Sequence, residues 1–462
     1  MRKEKDFLGE VILQDNYFGI HSFRASQNFD FDQRTTSLRL IYAVTQIKKA
    51  AALANLKVKL LEPAKCDAIV FACDRILDGS FDNQFITHPY QGGAGTSVNM
   101  NVNEVIANIA LEQLGHPLGD YDFISPLEDV NMSQSTNDVY PSAMKIASIY
   151  ALRELADEYV LLQNAFIEKE QATGDLLHLG RTQYMDALPI SWGQTFSAYA
   201  SVINRDRWRL YKVEERLRTI NLGGTAIGTG VNAEWKYIFA VTDLIKEITG
   251  LGLARSDNLI DATQNLDVFV EVSGLIKTAA VSLMKIANDF RFLGSGPHGG
   301  IGEFSLRSHQ AGSSIMAGKV NPVIPEAVVQ IALKIQGNDS IISSAVSLGV
   351  LELNAFGPLI IDALLESMVL LKGAALKFRT HVLDGLIINE SVSLDHLEKS
   401  TALITILNPL LGYDTSTRII GRANHEGKTV RQILLEEKIF SEDELNRYLD
   451  PRAMISPGIL KR

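Results

Sequence analysis

NLDVFVEVSGLIKTAAVSLMKIANDFRFL, residues 265–293, is the stretch that decides the fold class. Within it Phe269, Val272, Ile276, Ala279, Leu283, Ala287 and Phe290 recur at spacings of three and four. On a helix that spacing keeps all seven on one side, so the segment predicts a single apolar seam over about eight turns. Gly294, Gly296 and Pro297 then end it. A small globule cannot cover a helix of that length, so a helical bundle is its expected setting.

Working outward, further long helices are expected over about 140–173, 190–218, 325–348 and 358–383. Strict alternation of apolar and polar residues is scarce, and strands do not alternate regularly with helices. The expected class is all-α, with a few short strands near the N-terminus. Gly-rich stretches fall between the helices, at 92–97, 223–230 and 294–304. Near the C-terminus Ser441 and Glu444 have the spacing of a capping box, which suggests a small helical appendage.

The chain has 462 residues, 46% hydrophobic and 21% charged, values of a globular protein rather than a disordered one. Its length allows two or three domains. A net charge of -10 leaves no excess of Lys and Arg to neutralise phosphates, so a nucleic-acid partner is not expected. A dianionic small molecule needs only a few local donors and is not excluded. Cys66 and Cys73 match no zinc or redox spacing and read as small core residues. The scarcity of cysteine, the polar start MRKEKDFLGEVI and the lack of any 18-residue apolar run lead to an expected cytoplasmic location with no membrane contact.

The segment from Gln310 to Pro322, QAGSSIMAGKVNP, packs glycines, hydroxyls, one cation and one amide ahead of a helix. Its backbone N–H groups can approach an anion, with Lys319 and Asn321 set against a carboxylate. Composition alone leaves it equally readable as a mobile surface loop. It is not a phosphate-binding loop, since five residues separate Gly312 from Gly318 and Val320 stands where a Ser or Thr metal ligand is required. Nor is 223–230 a dinucleotide fingerprint, for no strand precedes it and its spacing is wrong. Two further clusters of short donors, at 95–101 and 132–138, can hold carboxylate oxygens or serve as caps and turns at helix starts.

These segments carry a resemblance. GAGTSVNMNVNEVIAN (93–108), NMSQSTNDVYPSAMKIA (131–147) and GSSIMAGKVNPVIPE (312–326) are similar to the three signature blocks of the aspartase/fumarase superfamily. GRTQYMDALPISWGQTFSAYA (180–200), GTAIGTGVNAE (224–234), LELNAFGP (351–358) and TALITILNPLLGYD (401–414) extend the match in the same order. The resemblance implies a three-domain subunit, here 1–136, 137–391 and 392–462, whose long central helices join four chains in one bundle. It also implies composite active sites, with the three blocks supplied by three subunits of a homotetramer.

Carried over position by position, Ser313 matches the serine that removes a proton from the carbon β to the leaving group. Thr96, Ser135 and Thr136 match residues on the carboxylate beside that carbon, and Ser314 is expected to bind substrate with them. Lys319, Asn321 and Thr182 match those on the other carboxylate, while Asn137 and Gln183 fall where the amino group or hydroxyl is met. The resemblance implies neither an organic cofactor nor a metal for the chemistry. Gln183 points to the aspartase branch, because fumarase-like members carry His there. Gln cannot titrate near neutrality, and an ammonium substituent already holds the proton it leaves with.

The expected reaction is therefore reversible deamination of L-aspartate to fumarate and ammonia through an aci-carboxylate. A fumarate hydratase, a C–N lyase for a modified aspartate and a catalytically silent dicarboxylate-binding tetramer stay as alternatives. The chain departs from the family at Arg307, Ala311 and Ala317, where proline is usual, and each change frees the loop by roughly 0.4–1 kcal/mol.

Overall fold

The computed structural model describes residues 1–458. The chain opens with an antiparallel hairpin of β1 (Arg2–Asp6) and β2 (Gly9–Leu13). Helices α1 (Ile20–Asn28), α2 (Leu38–Lys57), α3 (Pro63–Leu77) and α4 (Thr96–Gln113) follow. The 38-residue α5 (Thr136–Thr173) leads into a second hairpin, β3 (Leu177–Thr182) and β4 (Met185–Ser191), and then α6 (Trp192–Leu217). Next come β5 (Thr219–Ile220), α7 (Trp235–Thr249), β6 (Ala254–Arg255), α8 (Leu259–Gln264) and α9 (Asp267–Leu293). After β7 (Phe304–Ser305) the chain forms α10 (Val323–Val346), α11 (Gly357–Lys377), β8 (Ile387–Ile388) and α12 (Glu390–Lys399). It closes with α13 (Ile404–Leu411), α14 (Tyr413–Glu426), α15 (Val430–Glu436), α16 (Glu442–Tyr448) and α17 (Pro451–Met454).

The fold is all-α, as the helical periodicity predicts. All seven seam residues of α9 are fully buried. The helix expected over 190–218 begins only at Trp192, because the residues before it pair as the β3–β4 hairpin. Strands so far from the N-terminus were not expected.

The chain divides into two compact units. The first comprises Met1–Ala156, Arg209–Thr278 and Leu333–Leu371. In it α2 packs on α3 and α7, and α3 on α4. Ala50, Ala51 and Ala54 on α2 are fully buried, and their small side chains allow that close approach. In α4 every residue from Ser97 to Leu111 is buried, polar ones included. Buried amides are costly without partners, and several of these bind the surrounding loops. Asn101 accepts from the Ile86 N–H and donates to the Gln84 carbonyl, while Asn108 donates to the Tyr17 carbonyl and accepts from the Gly119 N–H. Glu104 accepts from the N–H groups of Gly19, His21 and Ser22 at the start of α1.

The second unit comprises Asp157–Trp208, Ala279–Ala332 and the chain from Lys372 onward. Its core holds an aromatic cluster in which Trp192 stacks on His178, Phe196 on Phe304, and Phe290 meets Phe304 and Phe378. A separate apolar core of Ile404, Leu407, Ile419, Ile433, Leu434 and Leu445 closes the C-terminal helices. The expected capping box at Ser441 and Glu444 is formed, and a second one joins Thr429 and Gln432. Cys66 and Cys73 are free and buried. Among the described residues no helix is long and apolar enough to cross a membrane.

Candidate active site

In the first unit the expected substrate residues sit at two helix N-termini. Thr96 opens α4, where its Oγ1 donates to the Gly93 carbonyl at 2.7 Å. Gly95, before it, has φ +96°, and a Cβ there would lie 2.3 Å from the Tyr140 ring of α5. Ser135 precedes α5, and its Oγ accepts the Asn137 N–H at 3.2 Å. Asp138 answers by accepting the Ser135 N–H at 2.9 Å, so the S-x-x-D spacing works as a reciprocal cap. Thr136 is the first residue of α5, and Asn137 donates to the Ala226 carbonyl at 2.8 Å. Unpaired N–H groups at such ends favour anions.

Behind these residues lies a buried polar layer. The second oxygen of Asp138 accepts the N–H groups of Gly223 and Thr225, and this draws the 223–230 turn against the start of α5. Burial pushes the Asp138 carboxyl up to about 6, against the pull of those N–H donors and of Lys48. Lys48, also buried, donates to Asn131 Oδ1 at 2.8 Å and Gln134 Oε1 at 2.9 Å. Its ammonium is pulled down to about 7 by burial, with the charge of Asp138 opposing. Asn99 donates to the same Asn131 oxygen at 3.0 Å, and Gly95 touches Tyr140, so the two blocks lie side by side. Asn99 and Asn101 thus tie neighbouring loops from within α4, rather than serving as caps or turns at its start.

In the second unit Ser313 lies on a tight loop before α10. Its Oγ accepts two backbone N–H bonds, from Ile315 at 3.2 Å and Met316 at 2.9 Å. The Gly312 N–H reaches the Lys319 carbonyl at 2.8 Å, and Asn321 Nδ2 donates to the Gly312 carbonyl at 2.6 Å. Gly312 is required, since a Cβ would stand 2.3 Å from the Lys319 carbonyl oxygen. Ser313 is half-buried, whereas Ser314, Lys319 and the apolar Ile315 are exposed. Ala311 and Ala317 are exposed on this loop as well. Arg307 packs on Gly385, where a Cβ would meet its side chain at 3.1 Å.

Thr182 and Gln183 sit at the tip of the β3–β4 hairpin. Thr182 pairs with Met185 across a two-residue turn in which Gln183 (φ 55°) and Tyr184 (φ 64°) are both left-handed. Both positive angles fit the twist of a hairpin, yet neither residue is the Asn, Asp or Gly that adopts them readily. The hairpin lines a cleft of ≈ 1070 Å³ through Thr182 and Gln183, and Tyr199, Lys285 and Asp289 line it too. A neighbouring cleft of ≈ 990 Å³ is lined by Lys319 and Asn321. Tyr184 and Phe292, in edge contact at 5.2 Å, line both. The structure thus brings Gln183 and Lys319 to adjacent clefts, not to one.

Two groups, one in each unit, escaped the sequence reading. Lys48 lies in an unremarkable helical run, IKKAAALAN, and Glu303 ends a Gly-rich stretch. Nothing in their local pattern marks them. Among the described residues no three His, Cys, Asp or Glu side chains converge as metal ligands.

Residues 11–337 match the family model described as lyase, and residues 403–456 match that described as fumarase C C-terminus. The aspartate ammonia-lyase of Bacillus subtilis is 44% identical over 459 residues, covering 99% of this chain and 97% of the relative. A solved structure titled fumarate lyase:delta crystallin from Brucella melitensis, bound to cobalt, superposes with a TM-score of 0.96 at 44% identity and covers 99% of this chain and 100% of that one. The class II fumarase of Schistosoma mansoni superposes at 0.92 with 31% identity, covering 98% of each chain.

Proposed function

Because this chain belongs to the lyase family that holds aspartases and fumarases, we propose that it deaminates L-aspartate reversibly to fumarate and ammonia. The full-length relatives named aspartate ammonia-lyase support the substrate and a carbon–nitrogen lyase reaction. The observation that carries the chemistry is the pair of backbone N–H groups on Ser313 Oγ. A serine hydroxyl is a weak base. Two fixed donors favour its alkoxide over its neutral form, and in this reading the Lys319 ammonium, six residues on, adds positive charge.

In this reading the Ser313 alkoxide takes a proton from the carbon β to the amino group. The electron pair moves into the adjacent carboxylate, which becomes a dianionic aci-carboxylate held by Thr96, Ser135 and Thr136, with Ser314 beside them. That pair then returns to form the double bond as the C–N bond breaks and ammonia leaves. The seryl proton is finally lost to solvent or ammonia, which restores the base. Lys319, Asn321 and Thr182 hold the other carboxylate, while Asn137 and Gln183 meet the ammonium. Each donor that strengthens in the transition state is worth roughly 3–4 kcal/mol of barrier.

We place these residues in composite sites of a homotetramer, with the division 1–136, 137–391 and 392–462 as its domain plan. The exposed Leu333 and Ile341, eight residues apart on one face of α10, support burial against another chain. The test is a substrate panel followed by fumarate absorbance and ammonia release. Aspartate alone is expected to react. Turnover of malate would move the assignment to a hydratase, turnover of argininosuccinate alone to a lyase for modified aspartates, and silence with all three would end the enzymatic reading.

A further inference from the structure

Glu303 is fully buried, and its carboxylate is gripped on three sides. Arg181 donates to it bidentately, Nη1 to Oε2 at 3.0 Å and Nη2 to Oε1 at 2.7 Å. His396 Nδ1 lies 2.9 Å from Oε1. The backbone beneath is fixed as well. The Glu303 carbonyl accepts the Asn389 N–H at 2.9 Å, Asn389 Nδ2 donates to the Gly302 carbonyl at 2.6 Å, and Phe304 pairs with Ile388. The carboxylate is therefore a rigid anchor rather than a surface partner.

What it anchors is the strand end beside Thr182. Arg181 follows a register shift between Leu179 and Arg181, and its Nη1 also donates to the Leu179 carbonyl at 3.2 Å, across that irregularity. Immediately beyond, the turn holds two left-handed residues without Gly, Asn or Asp. Such a turn does not maintain itself and persists only where its surroundings over-determine it. A fork-to-carboxylate pair has the directionality to do so, which a point charge lacks.

We infer that Glu303 is a positioning residue: through Arg181 it fixes the hairpin tip that presents Thr182 and Gln183. This rests on the functional reading above only for what the tip presents, not for the anchoring itself. An Arg as little exposed as Arg181, at 12%, is costly to leave without its partner, so Glu303→Gln or Glu303→Ala can fail by misfolding. Two variants that keep both charges avoid this. Glu303→Asp withdraws the carboxylate by one methylene, and Arg181→Lys removes the fork.

Both variants and the wild type are compared by amide hydrogen exchange over 177–191, with 267–293 as internal reference, and by steady-state kinetics with L-aspartate. Exchange at the hairpin is expected to rise about tenfold in both variants while the reference helix is unchanged, because a local opening is released without global unfolding. kcat/KM is expected to fall roughly 10- to 100-fold, mostly through KM, as befits misplaced binding groups. Unchanged hairpin exchange in both variants overturns the inference. So does faster exchange with unaltered KM, since the tip would then be tethered to no purpose for substrate. A wild type inert towards aspartate refutes the functional reading instead, and exchange alone then decides the anchoring.

Discussion

Gly95 lies flat against the ring of Tyr140, so close that a Cβ on it would stand 2.3 Å from Cδ2. The glycine precedes Thr96 at the start of α4, and Tyr140 stands in the second turn of α5, four residues after Thr136. This one contact sets two helix N-termini side by side. Tyr140 is itself buried, so the ring has no room to retreat.

Gly95→Ala is accordingly expected to destabilise the fold by more than an ordinary surface change. Overpacking costs about 1–3 kcal/mol, and the φ of +96° adds strain that any L side chain meets there. Urea or thermal unfolding reads the effect as a lower midpoint. A variant with the wild-type midpoint would show that the ring moves freely.

Lys48 gives a prediction in pH. Its folded-state ammonium is pulled down to about 7, whereas an unfolded lysine titrates near 10.4, roughly the ordinary value. Between those limits the unfolded chain binds a proton that the folded chain does not, so stability from this group rises with pH, from about 7 to about 10. Lys48→Met removes the titration. Wild-type stability measured relative to Lys48→Met should therefore increase between pH 7 and 9.5. A constant difference across that range means that Lys48 remains charged when folded.

Gln183 is expected to mark the choice of leaving group. Gln183→His should lower kcat/KM for aspartate roughly tenfold, the worth of one altered hydrogen bond of about 1.4 kcal/mol. It should also add a limb near pH 6.5, about where an ordinary histidine titrates. If rate and pH profile both match the wild type, the side chain does not meet the reacting group.

Much of the fold was legible because long helices repeat their apolar residues, and the seven seam residues from Phe269 to Phe290 are buried as that repeat requires. The β3–β4 hairpin was not. Leu177, His178 and Leu179 are buried in succession, so no alternation shows, and the turn at Gln183-Tyr184 carries none of the usual turn residues. In α4 the obstacle was the reverse. Asn99, Asn101, Asn103, Glu104 and Asn108 are polar, yet all are buried and bonded to neighbouring loops, which their residue types do not signal. The loop around Ser313 was legible as a Gly-rich segment but equally as a mobile surface loop, and only the structure shows Gly312 close to the Lys319 carbonyl and Gly318 at φ +77°. The grip of Glu303 on Arg181 was hidden, since 122 residues separate the partners.

The measurement closest to the central claim follows fumarate and ammonia together from L-aspartate, with wild type and Ser313→Ala in parallel. The expected result is one fumarate and one ammonia per aspartate in the wild type. The alanine variant, its fold and assembly verified, should be slower by roughly 10²–10⁴-fold, the usual contribution of a positioned base. Ser313→Ala working at the wild-type rate would contradict the account, because proton removal would then belong to another group.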